Sequence, residues 1–523
     1  MQLADGEVSS GLAPLSPVSF LARSAAVFGS RTAVVEGDLR VTYRELDERA
    51  RRLAGLLVAR GIRPGDRVAV LAPNTLLLLE AHFGVPLAGA ALNALNTRLS
   101  ATELAYIVEH AGARLLLADH ELATLAEEVA AKVGGVTVLV GGRPGDAYEV
   151  ELAASAHAGT APTDEMSLLS LNYTSGTTGR PKGVMYCHRG AYLQSLAMVT
   201  HARLTPRTKF LWSLPMFHCN GWCFPWAVTA AGGTHVCLRK ADPAAIWAAI
   251  RTEGITAFNA APTVLTSLAW HEDAAPAERT IEVATGGAPP SPRLLERLAE
   301  LGIDVTHLYG LTETYGPAAI CEWQPEWDGL PADEQAELKA RQGVANVVSQ
   351  PLRVVADDGV DVPADGATLG QILVSGNNVM LGYYRDPEAT AAAMDHGWFR
   401  TGDLAVMHPE GYVEIRDRLK DVIISGGENI SSVEVEHALA SHEAVLECAV
   451  VGAPDERWGE VPVAFVVLHP GATVTDEELI EHVRGRLARF KAPKRIIRGE
   501  LPKTATGKVQ KFALRDQARA AGS

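Results

Sequence analysis

Residues Tyr173–Gly183, YTSGTTGRPKG, form the most informative segment of this chain. They continue Leu168–Tyr173 (LLSLNY), an apolar run that predicts a buried strand. Three glycines, four Ser or Thr hydroxyls and one lysine fall within eleven residues, so backbone N–H groups, hydroxyls and Lys182 can surround one anion. The spacing does not fit the phosphate loop G-x-x-x-x-G-K-[ST] in any register. By itself the segment indicates a polyphosphate ligand and no more, since a flexible loop has the same composition.

The segments before this loop alternate between apolar runs and helical patterns. Arg67–Leu71, Ala113–Ala118 and Val136–Val140 are short apolar runs that predict further buried strands. Tyr43–Arg60 has apolar residues at helical spacing and predicts an amphipathic helix. The alternation predicts an α/β fold, with layers of helices and mostly parallel sheets.

Length and charge limit the classes of protein. A chain of 523 residues exceeds the size of one hydrophobic core, so at least two domains are expected. Its net charge of -15 argues against a protein that coats nucleic acid. From Arg484 to Arg515, however, eleven Lys or Arg residues face only Glu500, which fits either an anionic ligand or a solvated basic face. Few aromatic residues interrupt this stretch, which weakens a nucleic-acid interpretation.

Cysteines and apolar segments indicate neither a secreted nor a membrane protein. The six cysteines are scattered and do not form a disulfide framework, and His218, Cys219 and Cys223 lack the partners of a zinc site. The first ten residues, MQLADGEVSS, show no signal peptide. Val68–Ala94 is apolar but carries polar and charged residues, so we expect no membrane span. The expected location is the cytoplasm.

A domain boundary is predicted near Asp417–Lys420. The stretch before it, Leu404–Arg416, reads as a hairpin with its turn at His408–Gly411. The stretch after it begins VIISGGENIS and continues as a helical pattern. We therefore predict a large N-terminal domain over residues 1–416, a connection over 417–420 and a small domain over 421–523.

Three more segments extend the evidence beyond the first loop. They are YGLTET at Tyr309–Thr314, FRTGDL at Phe399–Leu404 and LPKTATGK at Leu501–Lys508. With YTSGTTGRPKG, they resemble the signature motifs of the adenylate-forming superfamily of acyl-CoA synthetases, adenylation domains and firefly luciferase. The resemblance covers essentially the whole chain, in the family's order and spacing, and is closest to the AMP-forming acyl-CoA synthetases. It implies a large layered α/β domain followed by a small, mobile α+β domain.

The resemblance implies that ATP and Mg²⁺ activate a carboxylic acid as an acyl adenylate, which is then transferred to coenzyme A. Thr312 and Glu313 match positions that contact the α-phosphate and hold magnesium, for which a carboxylate is a suitable ligand. Asp403 matches the aspartate that accepts both ribose hydroxyls, and Arg418 an arginine that also reaches the ribose. The loop over the β- and γ-phosphates and the adenine site complete the implied nucleotide site: Thr174, Ser175, Gly176, Thr177, Thr178, Gly179 and Lys182 for the phosphates; Gly287, Ala288, Pro289, Tyr309 and Gly310 for adenine.

Lys508 is the residue implied to stabilise the first half-reaction. The carboxylate must attack an anionic α-phosphate, so negative charge concentrates as the new bond forms. A unit-charge pair about 4 Å apart is worth roughly 4 kcal/mol at an effective dielectric near 20. Lys503, in the same motif, is expected to be an exposed lysine in a polar turn.

The second half-reaction requires the thiol to reach a site that was closed to water. Family members rotate the small domain about a hinge, and Lys420 matches the hinge position. The rotation would bring Ser425–Asn429 (SGGEN) to the site, where Gly426 and Gly427 allow a close approach to the pantetheine arm.

The acyl pocket is the least specified part of the implied site. His218, in LPMFHCNGW, matches an aromatic position that gates the pocket, although a neutral core histidine is the competing interpretation. Trp222, Gly316 and Pro317 are expected beside it. This motif resembles the branch that handles short- to medium-chain, methylthio-type or aryl acids, which is an analogy at the level of the family.

Other activities remain open at this stage. An adenylating enzyme could pass the activated group to a carrier protein or another nucleophile, and a different oxyanion such as nitrite could replace the acid. A luciferase-type oxidation is disfavoured, because nothing in the sequence points to an oxygen-handling site. A catalytically inactive binding protein is disfavoured because Lys508, Glu313 and Asp403 are all present. A homodimer is left open.

Overall fold

The computed structural model describes residues 13–159, 162–174, 180–286, 290, 292–455, 457–503 and 509–521. Within them, two mostly parallel sheets fill the first part of the chain, and two mostly antiparallel sheets follow. No helix of this described part is long and apolar enough to cross a bilayer.

The first sheet is parallel at its centre and antiparallel at both edges. Its strands, in spatial order, are β15 (Val344–Ala345), β14 (Gly316–Ile320), β13 (Ile303–Leu311), β12 (Ile281–Gly286), β11 (Ala257–Ala260), β9 (Lys209–Trp212), β10 (Thr234–Cys237), β1 (Thr32–Glu36) and β2 (Leu39–Thr42). The second sheet is parallel except for its last pair. Its order is β6 (Thr137–Gly141), β5 (Leu115–Asp119), β3 (Arg67–Leu71), β4 (Ala91–Ala94), β7 (Leu168–Tyr173) and β8 (Gly183–Cys187).

The third and fourth sheets come from the last third of the chain. The third consists of antiparallel pairs, in the order β16 (Arg353–Val355), β17 (Gly370–Val374), β19 (Trp398–Met407) and β18 (Met394–Asp395), with β20 (Val413–Arg418) beside β19. The fourth has the order β22 (Glu428–Ile430), β21 (Ile423–Ser425), β24 (Gly459–Leu468) and β23 (Val445–Asp455), with β25 (Arg495–Arg498) parallel to β24. The fourth sheet and its helices have their own apolar clusters.

Helices cover the sheets, and several begin at side chains that bond their free N–H groups. Thr42, Ser100 and Thr475 each form a capping box with a glutamate three residues later, which is the local reason their helices start there. The α-helices are α1 (Val18–Phe28), α2 (Tyr43–Ala59), α3 (Leu76–Leu87), α4 (Ala101–Ala111), α5 (Ala123–Val133), α6 (Ala147–Ala154), α7 (His188–His201), α8 (Phe224–Ala231), α9 (Pro243–Glu253), α10 (Pro262–Ala269), α11 (Pro292–Glu300), α12 (Ala332–Ala340), α13 (Pro387–Ala393), α14 (Ser432–Ala440), α15 (Asp476–Arg484) and α16 (Lys511–Ala520). Short 3₁₀ turns lie at His120–Leu122, Thr312–Thr314, Pro325–Gly329 and Arg489–Lys491.

Helix α3 lies in the core between the layers and is buried on all sides. Its Glu80 is fully buried and pairs with Arg49 of α2, whose Nε lies 2.6 Å from Glu80 Oε2. The Tyr148 hydroxyl donates to the same carboxylate. Burial raises the pKa of Glu80, and the Arg49 charge opposes that rise. The pair therefore satisfies a charge that the core would otherwise exclude.

The α/β class, with a large N-terminal domain and a small C-terminal one, is confirmed. The strands at 67–71 and 168–173 and the helix starting at Tyr43 lie where the sequence predicts them. The predicted hairpin is β19–β20, and its turn is closed by a hydrogen bond from Gly411 N to His408 O. The domain limits at residues 416 and 421 stay a prediction.

Many basic side chains between Arg484 and Arg515 are paired with carboxylates. Several of them lie within salt-bridge distance: Arg484 of Glu481, Lys491 of Glu434, Arg498 of Asp476, Lys503 of Glu447, Lys511 of Glu436 and Arg515 of Asp421. Much of the local charge is therefore neutralised within the small domain.

Candidate active site

Several predicted site residues lie where strands of the first two sheets end. Strand β7 runs directly into Thr174, and β8 starts just after Lys182. Strands β12 and β13 are parallel neighbours, so Gly286 and the turn beginning at Thr312 lie at the same edge of the first sheet. This is the edge at which α/β proteins bind ligands.

Asp403 is the centre of a buried polar cluster. It is only 3% exposed, and the register of β19 and β20 sets it opposite Arg418. Arg418 Nε lies 3.1 Å from Asp403 Oδ1, and the Tyr309 hydroxyl donates to Oδ2 at 2.7 Å. Burial, with the Asp403 charge, raises the pKa of Tyr309, which keeps this phenol a donor. A carboxylate accepts up to about four hydrogen bonds, so it retains capacity for two ribose hydroxyls.

Glu313 and Lys182 are linked through Tyr383. The Tyr383 hydroxyl donates to Glu313 Oε1 at 2.8 Å, and Lys182 Nζ lies 4.7 Å from the centre of the same ring. The ends of the segment predicted to bind phosphate, called the phosphate-binding segment below, are held together because Thr174 N donates to Lys182 O at 3.0 Å. One aromatic side chain thus joins this segment to the carboxylate predicted to hold Mg²⁺. The donor set suits that ion, since Mg²⁺ prefers hard oxygen ligands.

Thr312 is fixed from two directions. Its backbone carbonyl accepts a hydrogen bond of 2.6 Å from the Tyr186 hydroxyl. Its Oγ1 lies 3.2 Å from the Cys219 sulfur, and His218 Nε2 lies 3.7 Å from that sulfur. Burial raises the pKa of the Cys219 thiol to about 12. His218 therefore lies near Thr312, with a neutral thiol between them.

Trp222 covers the ends of β12 and β14. A Cβ added at Gly316 would meet Trp222 Cδ1 at 2.8 Å, and one added at Gly286 would meet Cη2 at 3.3 Å. The indole thus spans the space between these two glycines. Gly310 is needed for a different reason, because a Cβ there would lie 1.9 Å from the carbonyl oxygen of Gly316. Pro317 follows, and its carbonyl accepts from Gln194 Nε2 at 2.8 Å.

The backbone that carries Trp222 has left-handed dihedral angles over five consecutive residues. The φ angles run from +48° at Cys219 through +41°, +53° and +58° to +66° at Cys223. Only Gly221 adopts this conformation without cost, and each ordinary L-residue loses roughly 1–2 kcal/mol. Such a run persists only where surrounding contacts hold it. Residues Cys219–Cys223 are called the left-handed turn below.

The predicted connection between the domains is tied to the small domain. Asp417 Oδ2 accepts from Ser432 N at 2.5 Å, at the start of α14. The carbonyl of Lys420 accepts from Arg515 of α16 at 3.3 Å. Burial lowers the pKa of Lys420. In the SGGEN loop, Gly426 (φ +61°) and Gly427 (φ +86°) are both left-handed. A Cβ at Gly426 would meet the Trp458 ring at 2.8 Å, so a residue with a side chain would not let the loop pack this closely against Trp458.

Some predicted residues lie outside the described ranges, and others were missed. Lys508, Ser175 to Gly179 and Gly287 to Pro289 belong to the first group. Tyr383, Tyr186 and Asn220 belong to the second group, because each acts through a contact with a distant segment. Asn220 lies within LPMFHCNGW, but its contacts were not predicted. The one available signal was the aromatic pair at Tyr383 and Tyr384 close to FRTGDL.

These observations define a class: a two-domain α/β enzyme with polar groups for a nucleotide gathered at the strand ends. Comparison with protein-family models matches residues 21–384 to the AMP-binding enzyme family and residues 434–508 to the C-terminal domain of AMP-binding enzymes. The chain belongs to this family. It is an AMP-forming acyl-CoA synthetase that uses ATP, Mg²⁺ and coenzyme A.

Curated relatives match over nearly their whole length. An acetate–CoA ligase of Humulus lupulus is 44% identical, with 97% of this chain and 95% of the relative covered. A 2-methylpropanoate–CoA ligase of the same plant is 45% identical, with 98% and 96% covered. A peroxisomal acetate/butyrate–CoA ligase of Arabidopsis thaliana is 43% identical, with 97% and 95% covered.

Solved structures show the same architecture. ATP-bound MatB from Rhodopseudomonas palustris is 31% identical, with a TM-score of 0.86 and coverage of 97% of this chain and 100% of that one. The anthranilate CoA ligase AuaEII in complex with anthranoyl-AMP is 26% identical, with a TM-score of 0.87 and coverage of 98% and 99%.

Proposed function

We propose that the acid is a short aliphatic monocarboxylate of about two to five carbons, converted to its CoA thioester. The observation that carries this proposal is the indole of Trp222, which spans Gly286 and Gly316 at the strand ends. A long acyl chain needs that space, whereas a short one does not. Each methylene that cannot be buried forgoes about 0.8 kcal/mol, or roughly fourfold in binding, so selectivity against longer acids accumulates with each carbon.

The printed names of relatives agree with this chain length. Acetate, butyrate and 2-methylpropanoate are named as the acids of plant ligases that are 43–45% identical to this chain. The sequence interpretation also allowed medium-chain and aryl acids, and the Trp222 wall argues against both.

The residues at the strand ends are proposed to divide the first half-reaction among them. Asp403 and Arg418 would bind the ribose, and Thr174, Lys182 and the intervening loop the outer phosphates. Glu313 would hold Mg²⁺, which offsets phosphate charge when bound. Thr312 would orient the α-phosphate, and Lys508 would offset the charge that develops there. Removing an electrostatic stabiliser of this kind costs about 10²–10³ in rate.

The second half-reaction is proposed to follow rotation of the small domain about Lys420. Asp417 lies before this residue and holds the first turn of α14 after it, through Ser432 N and Oγ. Rotation about Lys420 would therefore have to break this contact. The SGGEN loop, with Gly426 and Gly427, would then lie beside the pantetheine arm.

Coenzyme A is the acyl acceptor, and no carrier protein is proposed in its place. A homodimer and a cytoplasmic location stay predictions. Cell fractionation tests the location, since two relatives from Arabidopsis thaliana are named as peroxisomal.

The proposal is tested by a panel of straight-chain acids from acetate to octanoate, with benzoate added. Each acid is incubated with MgATP, with and without CoA, and AMP, acyl adenylate and acyl-CoA are measured by mass spectrometry. We expect AMP and acyl-CoA to form together, with kcat/KM highest at two to five carbons. Trp222→Ala should move the optimum to longer chains and raise the hexanoate-to-acetate ratio of kcat/KM at least tenfold.

A matched control is Trp323→Ala, which removes an indole that packs against Trp327 and Lys339 instead. It should leave the ratio unchanged. A wild-type preference for benzoate or octanoate would overturn the proposal. An adenylate that CoA never accepts would leave the first half-reaction intact and reject the acceptor.

A further inference from the structure

The left-handed turn is held by a buried side chain that no sequence motif singles out. Asn220, the second residue of the turn, is fully buried. Its Oδ1 accepts 2.6 Å hydrogen bonds from both Ser170 Oγ and Asn172 Nδ2. Its backbone N–H donates to Asn172 Oδ1 at 3.2 Å. Both partners lie on β7, so the turn is fastened to the strand that leads into the phosphate-binding segment.

The other half of the Asn220 amide is fastened to helix α3. Asn220 Nδ2 lies 3.1 Å from His82 Nε2. His82 Nδ1 lies 2.7 Å from the Leu78 carbonyl oxygen, so Nδ1 carries the proton and Nε2 accepts from Asn220. Burial lowers the pKa of His82 to about 4, which keeps this ring neutral. The amide group of Asn220 is therefore bonded on both its oxygen and its nitrogen, and each bond fixes its orientation.

Asn220 thus connects three parts of the site. Through the backbone of the turn it sets the position of Trp222, two residues on. The residue before it, Cys219, contacts Thr312 Oγ1. The strand that bonds it ends one residue before Thr174. Two backbone hydrogen bonds, from Gly221 N to His218 O at 2.7 Å and from Cys223 N to Asn220 O at 3.0 Å, close the turn locally, and the Asn220 side chain ties it to β7 and α3.

We propose that Asn220 is a specificity-determining positioning residue, whose amide holds the left-handed turn and thereby keeps the Trp222 indole across the acyl pocket. The inference rests on the proposed function, since it takes Trp222 as the wall of that pocket. Asn220 itself does not touch the reacting atoms. Its effect is on which acids fit.

The test compares Asn220→Gly with Asn220→Ala in the acid panel. Glycine adopts the left-handed conformation freely, so Asn220→Gly removes the side-chain bonds without penalising the backbone. We expect the hexanoate-to-acetate ratio of kcat/KM to rise at least fivefold in both variants. A purely structural role would lower the activity on all acids by one factor and leave the ratio unchanged.

A milder variant guards against loss of folding. Ser170→Ala deletes one donor, and Asn172 still satisfies Asn220 Oδ1, so no buried polar atom of Asn220 is stranded. We expect the ratio to rise about twofold to threefold. The matched control is Ser24→Ala, which also removes one hydrogen bond of a fully buried serine, here to the carbonyl of Thr229 in α8, and should not change the ratio.

The outcomes separate the two proposals. An unchanged ratio in Asn220→Gly and Ser170→Ala, with a raised ratio in Trp222→Ala, overturns the role of Asn220 alone. If the ratio rises in Asn220→Ala but stays at the wild-type value in Asn220→Gly, the left-handed backbone at this position matters and the hydrogen bonds of the amide do not. That result also overturns the proposed role of Asn220. An unchanged ratio in Trp222→Ala rejects the pocket itself.

Discussion

Tyr383 lies between Glu313 and Lys182, which belong to two different sequence motifs. Its hydroxyl bonds Glu313 and its ring faces the Lys182 ammonium, so a neutral side chain spaces a cation from a carboxylate. A direct pair would neutralise both groups. Held apart, both side chains stay available for the ligands predicted for them, Mg²⁺ for Glu313 and phosphate for Lys182.

The first residue-scale prediction concerns Glu313. Glu313→Gln removes the charge predicted to hold Mg²⁺, and we expect adenylation to fall about 10²–10³-fold. ATP–pyrophosphate exchange, measured over a range of Mg²⁺ concentrations, reads out this step. Tyr383→Phe is the control, because it keeps the carboxylate and loses one hydrogen bond to a charged group, for a loss of about tenfold. Glu313→Gln with wild-type exchange would contradict the assignment.

A second prediction concerns Asp403. Asp403→Asn keeps the shape of the side chain but gives up the negative charge paired with Arg418. We expect kcat/KM for ATP to fall about 10²-fold, while KM for the acid changes little, because the loss belongs to nucleotide binding. Steady-state kinetics with each substrate varied in turn separates the two. Asp361→Asn, at an exposed aspartate of the same region, should behave as wild type. A change in KM for the acid alone would reject the ribose role.

At the scale of elements, helices α2 and α3 offer a matched comparison. Arg49 of α2 pairs with fully buried Glu80, whereas Arg52 of the same helix pairs with Glu48 on the surface. Arg49→Met leaves the buried Glu80 carboxylate without its charge partner and should lower the free energy of unfolding by about 3–5 kcal/mol. Arg52→Met should cost less than about 1 kcal/mol. The midpoints of urea unfolding, followed by fluorescence, measure the difference. Equal midpoints would mean that Glu80 finds another partner or stays neutral at little cost.

Regular elements were predictable because their signal is local. The strand at Arg67–Leu71 and the helix from Tyr43 carry the period of their structure in their own residues, and each was located correctly. The left-handed turn has no such signal. Asn220-Gly221 indicates a turn but not five left-handed residues, whose shape depends also on Ser170, Asn172 and His82, about 50 to 140 positions earlier in the chain.

On the scale of the whole molecule, buried histidines make stability depend on pH. Burial lowers the pKa of His82, His188 and His307 to about 4 and that of His235 to about 3. Above pH 6.5 these histidines are neutral in both folded and unfolded chains. As the pH falls from 6.5 towards 4, only the unfolded chain takes up protons, so stability is lost, by up to about 1.4 kcal/mol per pH unit for each histidine.

We therefore predict that the urea midpoint falls steeply between pH 6.5 and 4.5, before most carboxylates titrate. His188→Asn should reduce the dependence of stability on pH by the uptake of about one proton, because Asn does not titrate. Asn is chosen because it can keep a hydrogen bond to Ser16. His396→Asn, at a side chain that is 99% exposed, should not alter it. A midpoint that is flat across this range would mean that the buried histidines titrate normally.

The domain plan and the class of enzyme were within reach of the sequence, and the acid was not. Four motifs spread from Thr174 to Lys508 specify nucleotide chemistry, because the same groups must meet the same ligand in any member of the family. The chain-length selectivity proposed here depends instead on how near the Trp222 indole lies to Gly286 and Gly316, which is a distance between segments and not a pattern along one.

The position of the Cys219 sulfur raises the question of whether the enzyme could acylate its own thiol. It lies 3.2 Å from Thr312 Oγ1, beside the place where the mixed anhydride of acid and AMP is expected to form. A thiolate there would compete with coenzyme A and leave the enzyme acylating itself. Burial raises the pKa of the Cys219 thiol to about 12, so the thiol stays protonated at neutral pH. Burial would therefore let the enzyme keep a thiol of its own beside the expected acyl donor and still reserve the acyl group for the thiol of coenzyme A.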